Sequence, residues 1–356
     1  MTPVEIAGRK VGVGFPTYFV ADIAANHDGD LRRAQDLIRL AARAGADAAK
    51  FQNFRANQIV SEVGFQQLGK HSHQASWKKP VFQVYQEASI PFSWTPVLAK
   101  ASAEAGIDYF SSAYDLQAVD ELGDLFPAIK IGSGDITWTE ILERIASKGK
   151  PVLLATGASD LADVQRAVAA IRELNPQIVL MQCNTNYTGS TDNFDHIHLN
   201  VITAYAAIFP DLVLGLSDHT PGHATVLGAV ALGARVIEKH FTDDRAREGP
   251  DHAFSMDPDG WRDMVDRTRE LERALGSPEK RVADNELETV VVQRRCIRAA
   301  RDLPAGTVIT RDLLDILRPS PPRAIQPYEI EAVLGTLTAR PIPAGAELRW
   351  TDLVAP

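Results

Sequence analysis

The feature that most constrains this chain is a switch of hydrophobic period that recurs eight times. Short apolar or β-branched runs occur at Tyr18–Ala24, Ala46–Phe51, Ile107–Ser111, Ala128–Gly132, Val152–Ala155, Ile178–Gln182, Leu212–Leu216 and Val236–Glu238, each followed by a longer stretch with helical spacing. Leu31–Ala44 places Leu31, Ala34, Leu37, Ile38 and Ala41 on one face and stops at Gly45, and Asp160–Leu174 repeats the pattern before Asn175-Pro176. Runs that are apolar at consecutive positions belong to strands covered on both faces, the condition of a parallel sheet flanked by helices. No glycine-rich dinucleotide turn follows the first run, so the α/β class expected is a closed (βα)8 TIM barrel over residues 1–275, not an open doubly wound sheet.

Beyond the barrel the texture changes. Residues 276–292 are polar and charged and read as a linker; residues 293–356 read as a small β-rich module, with expected strands in Val290–Ala299 and Ile316–Pro322 among proline and glycine turns. Ala300-Arg301-Asp302-Leu303-Pro304-Ala305-Gly306 and Ala339-Arg340-Pro341-Ile342-Pro343-Ala344-Gly345 echo each other, over too short a span to define a repeat architecture.

Composition narrows the function classes. The formal net charge is −9 and the basic residues are scattered, which leaves nucleic acid no electrostatic footprint. Cys183 and Cys296 stand far apart outside any paired motif, so neither a disulfide framework nor a cysteine metal site is expected, and a reducing, cytoplasmic setting is. No apolar run approaches the roughly 20 residues of a membrane span.

In such a barrel, chemistry is carried at the C-terminal ends of the strands. The first run carries Asp22 and leads to Asn26 and His27; the second ends in Lys50, Gln52 and Asn53; the third in Ser111 and Ser112; the fourth carries Lys130 and leads to Ser133 and Asp135. The fifth ends in Thr156-Gly157, the sixth in Asn184 and Asn186, the seventh in Ser217-Asp218-His219 and the eighth in Glu238-Lys239-His240. His219 and His240 end consecutive strands, which lie about 4.8 Å apart. Their imidazoles can share a divalent ion for Lewis-acid work on a carbonyl, with manganese, magnesium, cobalt and zinc all suitable; the alternative is two separately hydrogen-bonded histidines. Lys50 and Lys130, buried in strands, need a counter-charge. A phosphate and a carboxylate would supply it, with Ser112, Ser133, Thr156 and Ser217 adding hydroxyl donors; salt bridges to a neighbouring carboxylate such as Asp22 or Glu238 are the structural alternative.

Several segments together carry a family resemblance. They are Ala21-Asp22-Ile23-Ala24-Ala25-Asn26-His27-Asp28-Gly29-Asp30, Gly45-Ala46-Asp47-Ala48-Ala49-Lys50-Phe51-Gln52, Lys130-Ile131-Gly132-Ser133-Gly134-Asp135, Gly215-Leu216-Ser217-Asp218-His219-Thr220 and Ile237-Glu238-Lys239-His240-Phe241-Thr242, joined by Gly249-Pro250-Asp251 and Ser255-Met256-Asp257-Pro258. The chain resembles the sialic acid synthase family, and Gln293–Leu353, with Arg318-Pro319, looks like the antifreeze-protein-like SAF module that ends those enzymes. The resemblance implies condensation of phosphoenolpyruvate with an open-chain N-acetylated amino-sugar to a nine-carbon keto acid plus phosphate. It assigns the metal to His219 and His240, phosphoenolpyruvate to Lys50, Ser112, Lys130, Ser133 and Ser217, and sugar contacts to Gln52, Tyr187 and Asp251. Thr156 joins the phosphoenolpyruvate set and Asp22 and Asn184 the sugar set, while Asp22 and Asp135 join the histidines as candidate catalytic residues, Asp135 as the acid or base. Arg318 would reach a partner subunit's site, which implies a domain-swapped homodimer.

The family usually has glutamate where Asp22 and Asp135 stand, Tyr-Pro-Thr-Pro where Tyr187-Thr188-Gly189-Ser190 stands, Ser-Thr-Pro where Ser111-Ser112-Ala113 stands and serine at Ala155, so the acceptor side is altered more than the phosphoenolpyruvate side. Two competing readings remain: a Schiff-base aldolase using Lys130 or Lys239 with pyruvate, and a carbohydrate-binding relative without catalysis. Residues 62–79 read as a cover over the barrel mouth, with His71 and His73 solvated and not metal ligands.

Overall fold

The structure is a computed structural model that describes residues 2–68, 74 and 77–355, so His71 and His73 lie outside the described residues. The chain divides into two compact units, Met1–Gly276 and Ser277–Pro356.

The first unit opens with an antiparallel hairpin, β1 (Val4–Ile6) against β2 (Arg9–Val11), that the apolar pattern did not announce. Eight parallel strands then close a barrel: β3 (Tyr18–Asp22), β4 (Ala48–Asn53), β5 (Asp108–Ala113), β6 (Ile129–Ile131), β7 (Val152–Ala155), β8 (Ile178–Cys183), β9 (Val213–Asp218) and β10 (Val236–His240). Each strand pairs with the next in sequence, and β10 returns to β3 with His240 opposite Asp22. Asp22 in turn lies opposite Lys50 on β4. This register at the closing seam sets three polar side chains in one rank at the C-terminal rim.

The helices form where their end signals predict. Asp30 caps the helix Leu31–Ala44, accepting from the backbone N–H groups of Arg32 and Arg33, and Gly45 ends it at φ 97°, a left-handed conformation that glycine adopts without a Cβ penalty. Ala34, Leu37, Ile38 and Ala41 face inward and are buried. Asp160 and Asp163 form a reciprocal capping box at the start of Leu161–Leu174. These apolar faces and the outward residues of the strands make one continuous core, and among the described residues no helix is long and apolar enough to cross a membrane.

The second unit has its own core around Ile297, Leu303, Ile309, Val333, Ile342 and Leu348. Residues 287–293, read partly as linker and partly as strand, form a helix; the strand β11 covers only Cys296–Ala299 and pairs antiparallel with β12 (Leu314–Leu317). A second pair joins β13 (Leu337–Thr338) to β14 (Leu353–Val354). The sequence echo has a structural counterpart. Leu303 and Ile342 exchange both backbone hydrogen bonds, and Gly306 donates to the Thr338 carbonyl as Gly345 donates to that of Ala299. Ala300 to Leu313 and Ala339 to Asp352 repeat the relation, so the two stretches are related by a local pseudo-twofold.

Gly215 shows how little room the barrel interior leaves. A Cβ there would sit 2.7 Å from the Val236 carbonyl on β10 and 3.0 Å from Met181 on β8. Gly215→Ala is expected to lower unfolding free energy by about 1–3 kcal/mol, the usual cost of overpacking, measurable as a fall in urea midpoint with unchanged slope.

Candidate active site

Within a strand, side chains alternate between the barrel interior and the helical layer, and this decides which rim residues meet. On β10, Glu238 and His240 point inward while Lys239 between them points outward; on β9 and just past it, Ser217 and His219 point inward and Asp218 outward. The inward residues line a cavity of about 410 Å3 at the C-terminal mouth.

Its floor is a buried charge array. Lys50 Nζ donates to Asp22 Oδ2 at 2.6 Å and lies 3.9 Å from Glu238 Oε2. Lys130 Nζ approaches Glu238 Oε1 at 3.5 Å and donates to the Ile131 carbonyl at 3.1 Å. Burial alone would lower the Lys50 pKa, but the Asp22 and Glu238 carboxylates outweigh it and hold the ammonium above its ordinary value. Asp22 also accepts from Gln52 Nε2 at 3.3 Å and from the Ala24 backbone N–H at 3.1 Å, and Ser217 Oγ donates to Glu238 Oε1 at 3.1 Å. The lysines therefore have the carboxylate partners that the structural alternative named, and they have them at the bottom of an open cavity.

Above the floor stand the two histidines, their ring centroids 5.4 Å apart. His219 Nδ1 lies 3.0 Å from the Asn184 carbonyl oxygen, which can only accept, so Nδ1 carries the proton and Nε2 the lone pair. His240 Nδ1 is buried with no hydrogen-bond partner, and its Nε2 lies 3.6 Å from Asp22 Oδ2. Burial pushes both imidazole pKa values down, His240 further because His219 and Lys50 add to it, so both rings are neutral at neutral pH. Tyr187 and Phe254 enclose the pair, with Tyr187 4.6 Å from the His219 ring and Phe254 4.9 Å from that of His240.

Two further carboxyls line the cavity. Burial raises Asp135 to about 6 against a partial opposing effect of Lys130. Asp251 is also raised to about 6 by burial, although its Oδ2 accepts the Ala25 backbone N–H at 3.0 Å. The loop bearing Asp251 and Phe254 is latched by His252, which is fully buried and lies 2.7 Å from Thr242 Oγ1 and 2.9 Å from Asp28 Oδ1.

Most of the expected site converges here. Asp22, Lys50, Gln52, Lys130, Ser133, Asp135, Tyr187, Ser217, His219, His240 and Asp251 all line the cavity. Thr156 does not, because its hydroxyl is turned away to donate to the Met181 carbonyl at 3.0 Å and accept from Tyr205 at 3.1 Å. Ser112 is buried beneath the lining, and Asn184 contributes through its backbone carbonyl while its amide reaches the His196 carbonyl. Arg318 is exposed in the second unit, just after β12. Lys239 is removed from the Schiff-base reading: its ammonium is buried behind the barrel wall, 2.6 Å from Asp218 Oδ2 and 2.5 Å from the Thr220 carbonyl.

Glu238 was named in the sequence only as a salt-bridge partner, yet it joins both cavity lysines. Of the wall formed by Phe54, Tyr85, Tyr114 and Trp77, only Trp77 was anticipated, as part of the cover expected over residues 62–79. Period-two alternation after Lys50 and Ser112 points to Phe54 and Tyr114, while Tyr85 and Trp77 come from a segment without strand signals.

The NeuB family model matches residues 37–280 and the SAF domain model residues 294–354. The chain belongs to the NeuB family. N,N'-diacetyllegionaminic acid synthase of Legionella pneumophila is 34% identical over 350 residues, 97% of this chain and 96% of that protein. Human N-acetylneuraminate-9-phosphate synthase is 33% identical over 341 residues, 94% of this chain and 92% of that one. In three dimensions, the crystal structure of spore coat polysaccharide biosynthesis protein SpsE from Bacillus subtilis superposes with a TM-score of 0.66 at 30% identity, covering 100% of both chains. The NeuB match contains all the cavity residues except Asp22 and Ala25, and both of these sit on or just after β3, which pairs within the same barrel.

The outward pair separates structural from cavity roles in this NeuB-family barrel. Lys239→Ala strands the Asp218 carboxylate, and an expected loss of about 3–5 kcal/mol will show in chemical denaturation.

Proposed function

We propose that this NeuB-family chain condenses phosphoenolpyruvate with an open-chain N-acetylated amino-hexose, N-acetylmannosamine-like, giving a nine-carbon 2-keto sugar acid and phosphate. The observation that carries the reading is the convergence of Lys50, Lys130, Ser133 and Ser217 with the His219–His240 pair in one cavity. Its relatives' names, acid synthases for legionaminic and neuraminic acids, support the same reaction class.

Lys50 and Lys130 would take the carboxylate and phosphate of phosphoenolpyruvate, with the Ser133 and Ser217 hydroxyls completing the cradle. Ser133 Oγ accepts the Gly157 backbone N–H at 2.9 Å, and its own O–H can turn toward a ligand. The array of Asp22, Glu238, Lys50 and Lys130 sums to no formal charge, so a multiply charged anion gains from an added cation.

A divalent cation, manganese foremost with magnesium or cobalt as alternatives, fits the neutral His219 and His240 nitrogens. Among the described residues no cluster of three or more His, Cys, Asp or Glu donors is arranged for a metal, so water and substrate would complete such a sphere. Bound there, it supplies Lewis-acid polarisation of the sugar's aldehyde oxygen. Asp135 would move the proton when water adds to the carbon that loses phosphate: ionising at about 6, it is mostly a carboxylate, and a base, at neutral pH. Asp22 holds Lys50 and Gln52 in place at the junction of the two substrate positions. Arg318 would complete the acceptor side from the partner in a domain-swapped homodimer.

The test is phosphate release from phosphoenolpyruvate with a panel of 2-acetamido and 2,4-diacetamido hexoses and manganese. Release that needs both sugar and metal is expected, with chelator or His219→Ala lowering it by about 100-fold or more. Metal-independent borohydride trapping of pyruvate on Lys130 would instead establish the aldolase, and saturable sugar binding with no release under any metal would establish a binding protein. In a pH series, kcat should rise as pH passes about 6 and the Asp135 carboxylate forms; Asp135→Asn should lower kcat and abolish that limb.

A further inference from the structure

Asp28 stands in the turn between β3 and the helix Leu31–Ala44 and is not among the residues that line the cavity, yet side chains from a distant loop gather on it. Its Oδ1 lies 2.9 Å from His252 Nε2, and its Oδ2 accepts from Arg247 Nε at 3.0 Å and Nη2 at 2.6 Å. Arg33, on the helix, brings its Nε to 3.1 Å from the same Oδ2 and holds Asp243 through two hydrogen bonds at 2.6 and 2.8 Å. Burial would raise the Asp28 pKa, but His252 and Arg247 outweigh it and hold the carboxyl below its ordinary value. A carboxylate can only accept, so His252 Nε2 donates to Asp28, and Nδ1 accepts from the Thr242 hydroxyl at 2.7 Å.

The loop from Asp243 to Phe254 is thus pinned to one carboxylate at Arg247 and again at His252. Between the pins lie Pro250 and Asp251, which line the cavity. Only His252 and Phe254 are buried along this loop, so apolar packing does little to fix its shape and the polar pins decide where Asp251 stands. The same contact accounts for two residues of the chain. Asp28 has φ 52°, a left-handed conformation that glycine adopts freely and aspartate seldom. Gly249 is not left-handed, but a Cβ on it would sit 2.6 Å from His252 Cδ2 and 3.1 Å from Nε2. The glycine makes room for the ring, and the aspartate supplies its acceptor.

We infer that Asp28 is a positioning residue for the condensation: through His252 it holds Asp251 toward the acceptor sugar, so loss of the contact weakens use of the sugar and not of phosphoenolpyruvate. The inference rests on the condensation proposed above, with Asp251 on its acceptor side.

The experiment compares the full-length chain with Asp28→Gly, which keeps the left-handed turn and deletes the carboxylate, and with Gly249→Ala, which leaves every charge in place and displaces the His252 ring. Initial rates of phosphate release are measured with manganese, phosphoenolpyruvate and the 2-acetamido or 2,4-diacetamido hexose that the unsubstituted chain uses fastest. Each variant is expected to raise KM for the sugar by about tenfold or more and to leave KM for phosphoenolpyruvate within about twofold, the split that a misplaced sugar contact implies. In an Asp251→Asn background, Asp28→Gly should cost less than about twofold further, because both changes act through one group. Equal rises in the two KM values, or full additivity in the double variant, give Asp28 a general structural role and overturn the inference, as do unchanged kinetics in both single variants; each of these leaves the condensation standing. Should Asp28→Gly fail to fold, the two KM values of Gly249→Ala decide. An unsubstituted chain that releases no phosphate with any sugar overturns the condensation, and this inference with it.

Discussion

The structure turns on the buried alternation of charge at the barrel floor, where Asp22, Lys50, Glu238 and Lys130 neutralise one another across strands that are neighbours only because the barrel closes. Removing these groups from water costs several kcal/mol per ion, and Coulomb attraction offsets that only with close geometry. The Lys50–Asp22 contact at 2.6 Å meets the condition, whereas the contacts of Glu238 with both lysines, at 3.9 and 3.5 Å, are looser. Hydrophobic residues of similar volume would fill this floor at lower cost. That polar residues occupy it is itself an argument for an anionic ligand.

Alternation along the rim then separates two networks that are adjacent in sequence. Lys239 and Asp218 form a closed pair behind the wall, satisfied by Thr220 and Thr225, while their immediate neighbours Glu238, His240, Ser217 and His219 face the cavity. The first network gives the loop after β9 its shape; the second lines the cavity. Because the two histidines are buried among aromatic rings, their neutral form is favoured, and a lone pair on His219 Nε2 follows from the Asn184 carbonyl behind it.

Much of this was legible in the chain. The eight strands lie within a few residues of the apolar runs, and Leu31–Ala44 is bounded by the residues read as its ends, because burial on both faces and helix capping are local signals. Misreadings have local causes too. Val290–Val292 is β-branched and reads as strand, yet the segment is helical from Leu287 to Gln293, with the strand beginning only at Cys296. Thr156 follows an apolar run as the other rim residues do, but its hydroxyl found partners in Met181 and Tyr205. The echo at Ala300 and Ala339 looked slight because a pseudo-twofold needs only a few shared backbone turns, not matched side chains.

The sequence by itself determined the barrel, the second module and most of the residue types at the mouth, since hydrophobic period, caps and strand-end polarity are written into neighbouring positions. Only the tertiary structure decided that Glu238 joins both lysines, that Lys239 is excluded, that His252 latches the loop bearing Asp251, and that Phe54, Tyr85 and Tyr114 form an aromatic wall of the cavity. These depend on strand register and on loops far apart in sequence meeting in space. A one-residue shift of register would exchange every inward side chain for an outward one.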